Sequence, residues 1–118
     1  MSYVDGFVMA VSNANMQAFE ESAARVASVL KEYGATRVVD CWGDDVPDGK
    51  LTDFKAAVKC EVLETVVFAW VEWPSKKVRD EGNAKAMQDS RMQPAGMPFD
   101  GKRMIFGGFE VLADSAAK

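Results

Sequence analysis

One stretch of this chain limits its folding choices more than any other. Glu64–Trp73, ETVVFAWVEW, is the most apolar run in the sequence, and Pro74 stops it. Its β-branched and aromatic residues (Val66, Val67, Phe68, Trp70, Val71, Trp73) favour a strand over a short buried helix. Ten residues are too few to cross a bilayer as a helix. Side chains alternate along a strand, so Val66, Phe68 and Trp70 point one way and Val67, Ala69, Val71 and Trp73 the other. Both faces are apolar, and a sheet containing this strand needs cover on both sides.

The rest of the chain supplies its neighbours. Tyr3–Val11 reads as a first strand, with Tyr3, Asp5, Phe7, Met9 and Val11 on one face and Val4, Gly6, Val8 and Ala10 on the other. Ser12 or Asn13 is placed to cap a helix whose stripe is Met16, Phe19, Ala23, Val26, Ala27, Leu30 and Tyr33, and Gly34 is placed to end it. Thr36–Trp42 is the second strand. Gly43–Lys50, GDDVPDGK, breaks the chain, and Leu51–Val58 predicts a short helix capped by Thr52. After the central strand, Ser75 caps a second long helix reaching Gln88 or Asp89, with a weak stripe of Val78, Gly82, Ala86 and Met87 and Asn83 beside it. Arg91–Gly101 is a loop. Lys102–Leu112 is the fourth strand, where Gly107-Gly108 predicts a bulge or a close backbone approach. Residues 1–113 form one domain and 114–118 a tail.

The order β-α-β-β-α-β with two long helices predicts an α+β, ferredoxin-like fold. Right-handed crossovers put strands one and three at the centre of a four-stranded antiparallel sheet, with both helices on one face. The opposite face would then be apolar and bare. A second copy packed sheet against sheet would cover it, giving a homodimeric α+β barrel. The competing expectation is that the 43–61 connection folds back over the open face.

Charge and composition narrow the function classes. The 118 residues carry a net charge of −4, with a pI near 4.8. No basic run interleaved with aromatics is present, so a nucleic-acid partner is not expected. The chain contains no histidine, which removes Ser-His-Asp catalysis, histidine general-base chemistry and a proximal histidine for haem. Cys41 and Cys60 form no CxxC pair, so no zinc site and no cofactor are expected. Asp5 interrupts the apolar N-terminal run, which reads as a strand and not a signal peptide. With no spanning segment in sight, the expected compartment is the cytoplasm, with Cys41 an inert strand thiol and Cys60 the more accessible one.

Four segments carry a resemblance. YVDGFV, GDDVPDGK, ETVVFAWVEWPS and MPFDGKRMIFGGFEVL together resemble the uncharacterised bacterial YbaA-like family, over nearly the whole chain. The resemblance implies the dimeric α+β-barrel group of ferredoxin-like folds. That group includes small oxygenases working without metal or flavin, chlorite- and haem-handling enzymes, and stress-responsive proteins. It also implies an association of some members with signal-recognition-particle RNA, against which the acidic pI argues.

The polar residues worth testing are few. Asp5 lies on an otherwise apolar face, where a carboxylate needs an arginine or backbone N–H partners to remain charged; Arg103 is the expected partner. Asp5, Asn83 and Arg103 are the candidate catalytic residues. Trp70, Arg79 and Arg91 are the candidate ligand-binding residues, in a pocket expected between helices and sheet. Asp44, Asp45 and Asp48 are weak metal candidates, and VPDG favours a turn there instead. Three readings follow: a small homodimeric binding or stress-related protein with no assignable reaction; a cofactor-independent oxygenase-type enzyme acting on an aromatic or carbonyl compound; and, third, an RNA-associated protein.

Overall fold

The computed structural model describes residues 2–92 and 98–116. Four strands and three α-helices follow one another as β1 (Tyr3–Ser12), α1 (Met16–Glu32), β2 (Arg37–Trp42), α2 (Phe54–Ala57), β3 (Glu64–Trp73), α3 (Lys76–Met87) and β4 (Ile105–Glu110). The sheet has the order β2-β3-β1-β4, and every neighbouring pair is antiparallel. This is the ferredoxin-like α+β arrangement, with the two most apolar strands at its centre. Among the described residues, no helix is long and apolar enough to cross a membrane.

Register decides which side chains meet. β1 and β3 pair from Tyr3↔Trp73 to Ser12↔Glu64 without a break. The odd-numbered residues of both strands therefore share the helix-covered face. There Val67, Ala69, Val71 and Trp73 are buried against Phe19, Val29 and Leu30 of α1 and Ala86 of α3. Each large apolar side chain so buried contributes about 1.5–3 kcal/mol. Ser75 caps α3 by accepting from Val78 N–H, and Gly34 ends α1 at φ 115°.

The opposite face is covered at one end only. Val58, just after α2, is fully buried against Val8, Ala10 and Val66. The 43–61 connection thus folds back over the sheet as the competing expectation held, but it stops short. Phe68, Ile105 and Phe109 remain exposed on the same face, 44%, 46% and 60% accessible, and Trp70 is only half-buried. Phe54 extends this apolar surface by packing edge-on against Phe68, ring centroids 6.1 Å apart.

Several local expectations need correction. Asp53, not Thr52, caps α2, because its carboxylate accepts from both Ala56 N–H and Gly49 N–H. A 3-10 turn, Asn13–Asn15, precedes α1, which begins without a side-chain cap. Asn13 is occupied instead by the Thr65 hydroxyl. Asp100 caps a further 3-10 turn at Gly101–Arg103, which delays β4 to Ile105. Met16 and Met87, assigned to helix stripes, are exposed. Cys41 is exposed beside Phe68 on the open face and not buried, because β2 is an edge strand. Part of the expected loop at 91–101 and the end of the tail lie outside the described residues.

Gly107 and Gly108 form no bulge, since β1 and β4 pair continuously from Tyr3↔Glu110 to Val8↔Ile105. Their side-chain positions face opposite sides of the sheet, and each admits a different neighbour. A Cβ on Gly107 would stand 3.4 Å from Phe109, whose ring also lies 3.5 Å from the Cβ position of Gly6. A Cβ on Gly108 would stand 2.6 Å from the Tyr3 hydroxyl oxygen and 2.7 Å from Arg79 Nη2. The glycine pair thus seats an aromatic ring on the open face and a guanidinium on the covered one.

Candidate functional site

Two places bring the chemically informative residues together, and the sheet separates them. The first lies under α3. Arg79, Gly82, Asn83 and Ala86 are spaced to share the helix face that meets the sheet. Asp5, 4% accessible, points up at them from β1. Arg79 grips it in bidentate fashion, Nε donating to Oδ1 at 2.9 Å and Nη2 standing 2.8 Å from the same oxygen. Oδ2 accepts from Trp73 Nε1 at 3.0 Å and from Asn83 Nδ2 at 3.2 Å. The guanidinium stacks over the Tyr3 ring, 5.1 Å from its centroid, and also bonds Asp80. The Asp5 hydrogen bonds and ion pair hold the guanidinium protonated well above its ordinary range.

This cluster explains the weak apolar stripe of α3. The helix is docked by a charged hydrogen-bonded clamp in place of apolar area. Trp73 belongs to the clamp because the β1–β3 register sets it diagonal to Asp5 on one face. Arg79 and Trp73 were missed as partners of Asp5, and Tyr3 and Gly108 as neighbours of the guanidinium. The signal for the strand residues was register, which a single strand does not display.

Arg103, the expected partner of Asp5, is elsewhere. It meets Glu64 through two bonds of 2.7 Å, reaches the Lys59 carbonyl at 2.8 Å and touches Asp100 at 3.2 Å. It pins the end of the connection that carries Val58 over the open face. The Arg103 hydrogen bonds, helped by Glu61 N–H, lower the Glu64 carboxyl from 4.5 to about 2. A depressed carboxylate stabilises the fold above its unfolded pKa and loses that contribution as pH falls through its folded one. The stability difference between wild type and Glu64→Gln is therefore expected to be largest above pH 4.5 and to close as pH falls towards 2. Urea titrations across that range check this, and a difference that stays constant with pH contradicts it.

Arg91 and Asp48 are engaged in ion pairs of their own. Arg91 bridges Glu32 at 2.7 Å and Asp89 at 2.8 Å, and Asp89 accepts from the Tyr33 hydroxyl at 2.8 Å. Hydrogen bonds from Arg91 hold Asp89 and Glu32 below the usual carboxylate range. Asp48 pairs with Lys55 at 2.7 Å, while Asp44 and Asp45 lie in an exposed bend. Among the described residues, no three of His, Cys, Asp and Glu converge as metal ligands.

The second place is the open face. A hollow of about 690 Å³ is bounded by Val4, Val8, Phe68, Trp70, Ile105 and Phe109, with Gly6 and Gly107 in its floor. Trp70 is the one expected ligand-binding residue that reaches it. The pocket expected between helices and sheet would have joined Trp70 to Asp5 and Asn83, but strand alternation places them on opposite faces. Phe68 and Trp70 stand 5.8 Å apart by ring centroid, and Trp70 Nε1 donates to Glu72 at 2.9 Å. The hollow carries no nucleophile, acid or base, and the clamp's polar groups are spent on one another, so the arrangement assigns no reaction.

Fold and site together define an open-faced ferredoxin-like α+β protein with a filled polar clamp on one side of its sheet and a bare apolar hollow on the other. The chain belongs to the family described as "Protein of unknown function (DUF1428)", which its residues 2–101 match. It is 59% identical to "Uncharacterized protein YbaA" of Escherichia coli (strain K12) over 116 residues, covering 97% of this chain and 99% of the relative. The same identity and coverage hold for the protein of that name from Shigella flexneri.

Proposed function

We propose that the protein works as a cytoplasmic homodimer that closes the bare part of its sheet against a second copy and serves as a small binding protein. One observation carries this reading: large apolar side chains stand exposed together on a single sheet face. An antiparallel sheet with one solvated face ordinarily presents polar residues there. Here Phe68, Trp70, Ile105 and Phe109 occupy those positions, and their continuity with Phe54 makes a broad apolar patch. A patch of this kind marks an interaction surface. A second copy brings the same residues in self-complementary form, as two-fold pairing requires. The partner need cover only the bare end, since Val58 already covers Val8, Ala10 and Val66. Two cysteines free of any disulfide support a reducing compartment.

Sedimentation at low micromolar concentration is expected to give twice the 12.9 kDa mass of the chain. Phe109→Glu places a charge at the centre of the patch and is expected to yield single chains with intact secondary structure. A wild-type mass equal to one chain overturns the dimer.

A further inference from the structure

We propose that the hollow on the open face is a binding site for a flat, uncharged aromatic molecule, held between the two sheets of the dimer. The inference rests on the homodimer reading, because the second copy is what shields the site from water. Protein interiors and interfaces are close-packed, with few voids larger than a water molecule. The open hollow measures about 690 Å³ on one chain, within the range of small-molecule sites, so a ligand can share it with the side chains that the second copy brings.

The floor is built to seat a ring. Across the sheet, Trp70, Gly6 and Gly107 occupy one row on β3, β1 and β4. Two of the three have no side chain, and Phe109 lies down over both glycine positions at 3.4–3.5 Å. Its ring becomes a platform, while Phe68 and Trp70 rise from β3 as a wall. A flat aromatic molecule can stack on the platform and meet the wall edge-on, the two geometries that aromatic rings favour.

The absence of charge on the lining side chains sets the ligand class. Every residue bounding the hollow is apolar or glycine. Glu72, on the same face beside Val4, is engaged by Trp70 Nε1 and lies 3.7 Å from Arg37. A charged ligand entering here would lose its hydration and find no counter-charge, which is costly. A neutral aromatic ring loses little and gains contact on several sides.

Calorimetric titration of the intact protein with 2-naphthol, and separately with 2-naphthoate, tests the site, with sedimentation run on the same samples. The dimer is expected to bind 2-naphthol saturably and 2-naphthoate at least about tenfold more weakly. Trp70→Leu is expected to weaken 2-naphthol about tenfold. Gly107→Val, which displaces the Phe109 ring from its seat while suiting a strand, is expected to abolish binding in a chain that still folds and dimerises. A dimer that does not take up 2-naphthol, or takes up naphthoate equally well, overturns the site and leaves the assembly standing. A chain that sediments as a monomer withdraws the assembly, and the site with it, on an independent readout.

Discussion

Asp5→Ala is expected to lower the stability of the fold by about 3–5 kcal/mol, the cost of breaking a buried ion pair by removing one partner. The substitution leaves the Arg79 guanidinium facing Gly108 and Tyr3 without its main counter-ion. It also strips Trp73 Nε1 and Asn83 of their acceptor. Arg79 retains about a quarter of its side-chain exposure and a bond to Asp80, so the loss should fall towards the lower end of that range. Arg79→Met is the harsher single change, because Asp5 is almost wholly buried and would keep only two neutral donors. The two changes together should cost less than the sum of each alone, with a coupling of about 1–3 kcal/mol. Urea unfolding at one fixed protein concentration measures all three variants. Additive losses would show that α3 is docked by something other than this pair.

Gly82→Val is expected to cost about 3 kcal/mol through overpacking. A Cβ at position 82 would stand 2.5 Å from Trp73 Cζ3 and 2.7 Å from the Tyr33 carbonyl oxygen. One of those atoms belongs to a fully buried indole and the other to backbone, so neither can yield cheaply. Gly82→Ala makes the sharper comparison. In an exposed helix this change gains about 1 kcal/mol, whereas here it should lower the unfolding midpoint. A midpoint that rises would mean that α3 stands farther from the sheet than these distances require. Loss of the near-ultraviolet signal of Trp73 should accompany the destabilisation, since the indole must tilt and give up its bond to Asp5.

Much of this was legible from local sequence. The β3 boundaries, the Ser75 cap, the Gly34 terminus and the order of elements follow from patterns of a few residues, where propensity and periodicity act directly. Asp5 stood out because a charge on an apolar strand face needs an explanation. Its partner did not, because Arg79 and Arg103 are both arginines near an element start and only packing chooses between them. The choice went to Arg79 because α3 crosses β1 above Asp5, while Arg103 emerges beside the start of β3 and finds Glu64. The glycine pair in β4 was read as a backbone irregularity when its use is steric and two-sided. That reading needs to know what lies above and below the sheet.

By itself, the sequence determined the ferredoxin-like order and the surplus of apolar surface on ETVVFAWVEW, because alternation along a strand is a local property of the backbone. It determined as well that a face would be left over, since two helices cover only one side. The tertiary structure alone decided how that surplus is shared. Val58 folds back over one end, Phe109 settles on Gly6 and Gly107, and a hollow remains around Trp70. It also decided that Asp5 and Trp70 work on opposite sides of the sheet. These outcomes depend on register and on contacts between residues far apart in the chain, which no local pattern encodes.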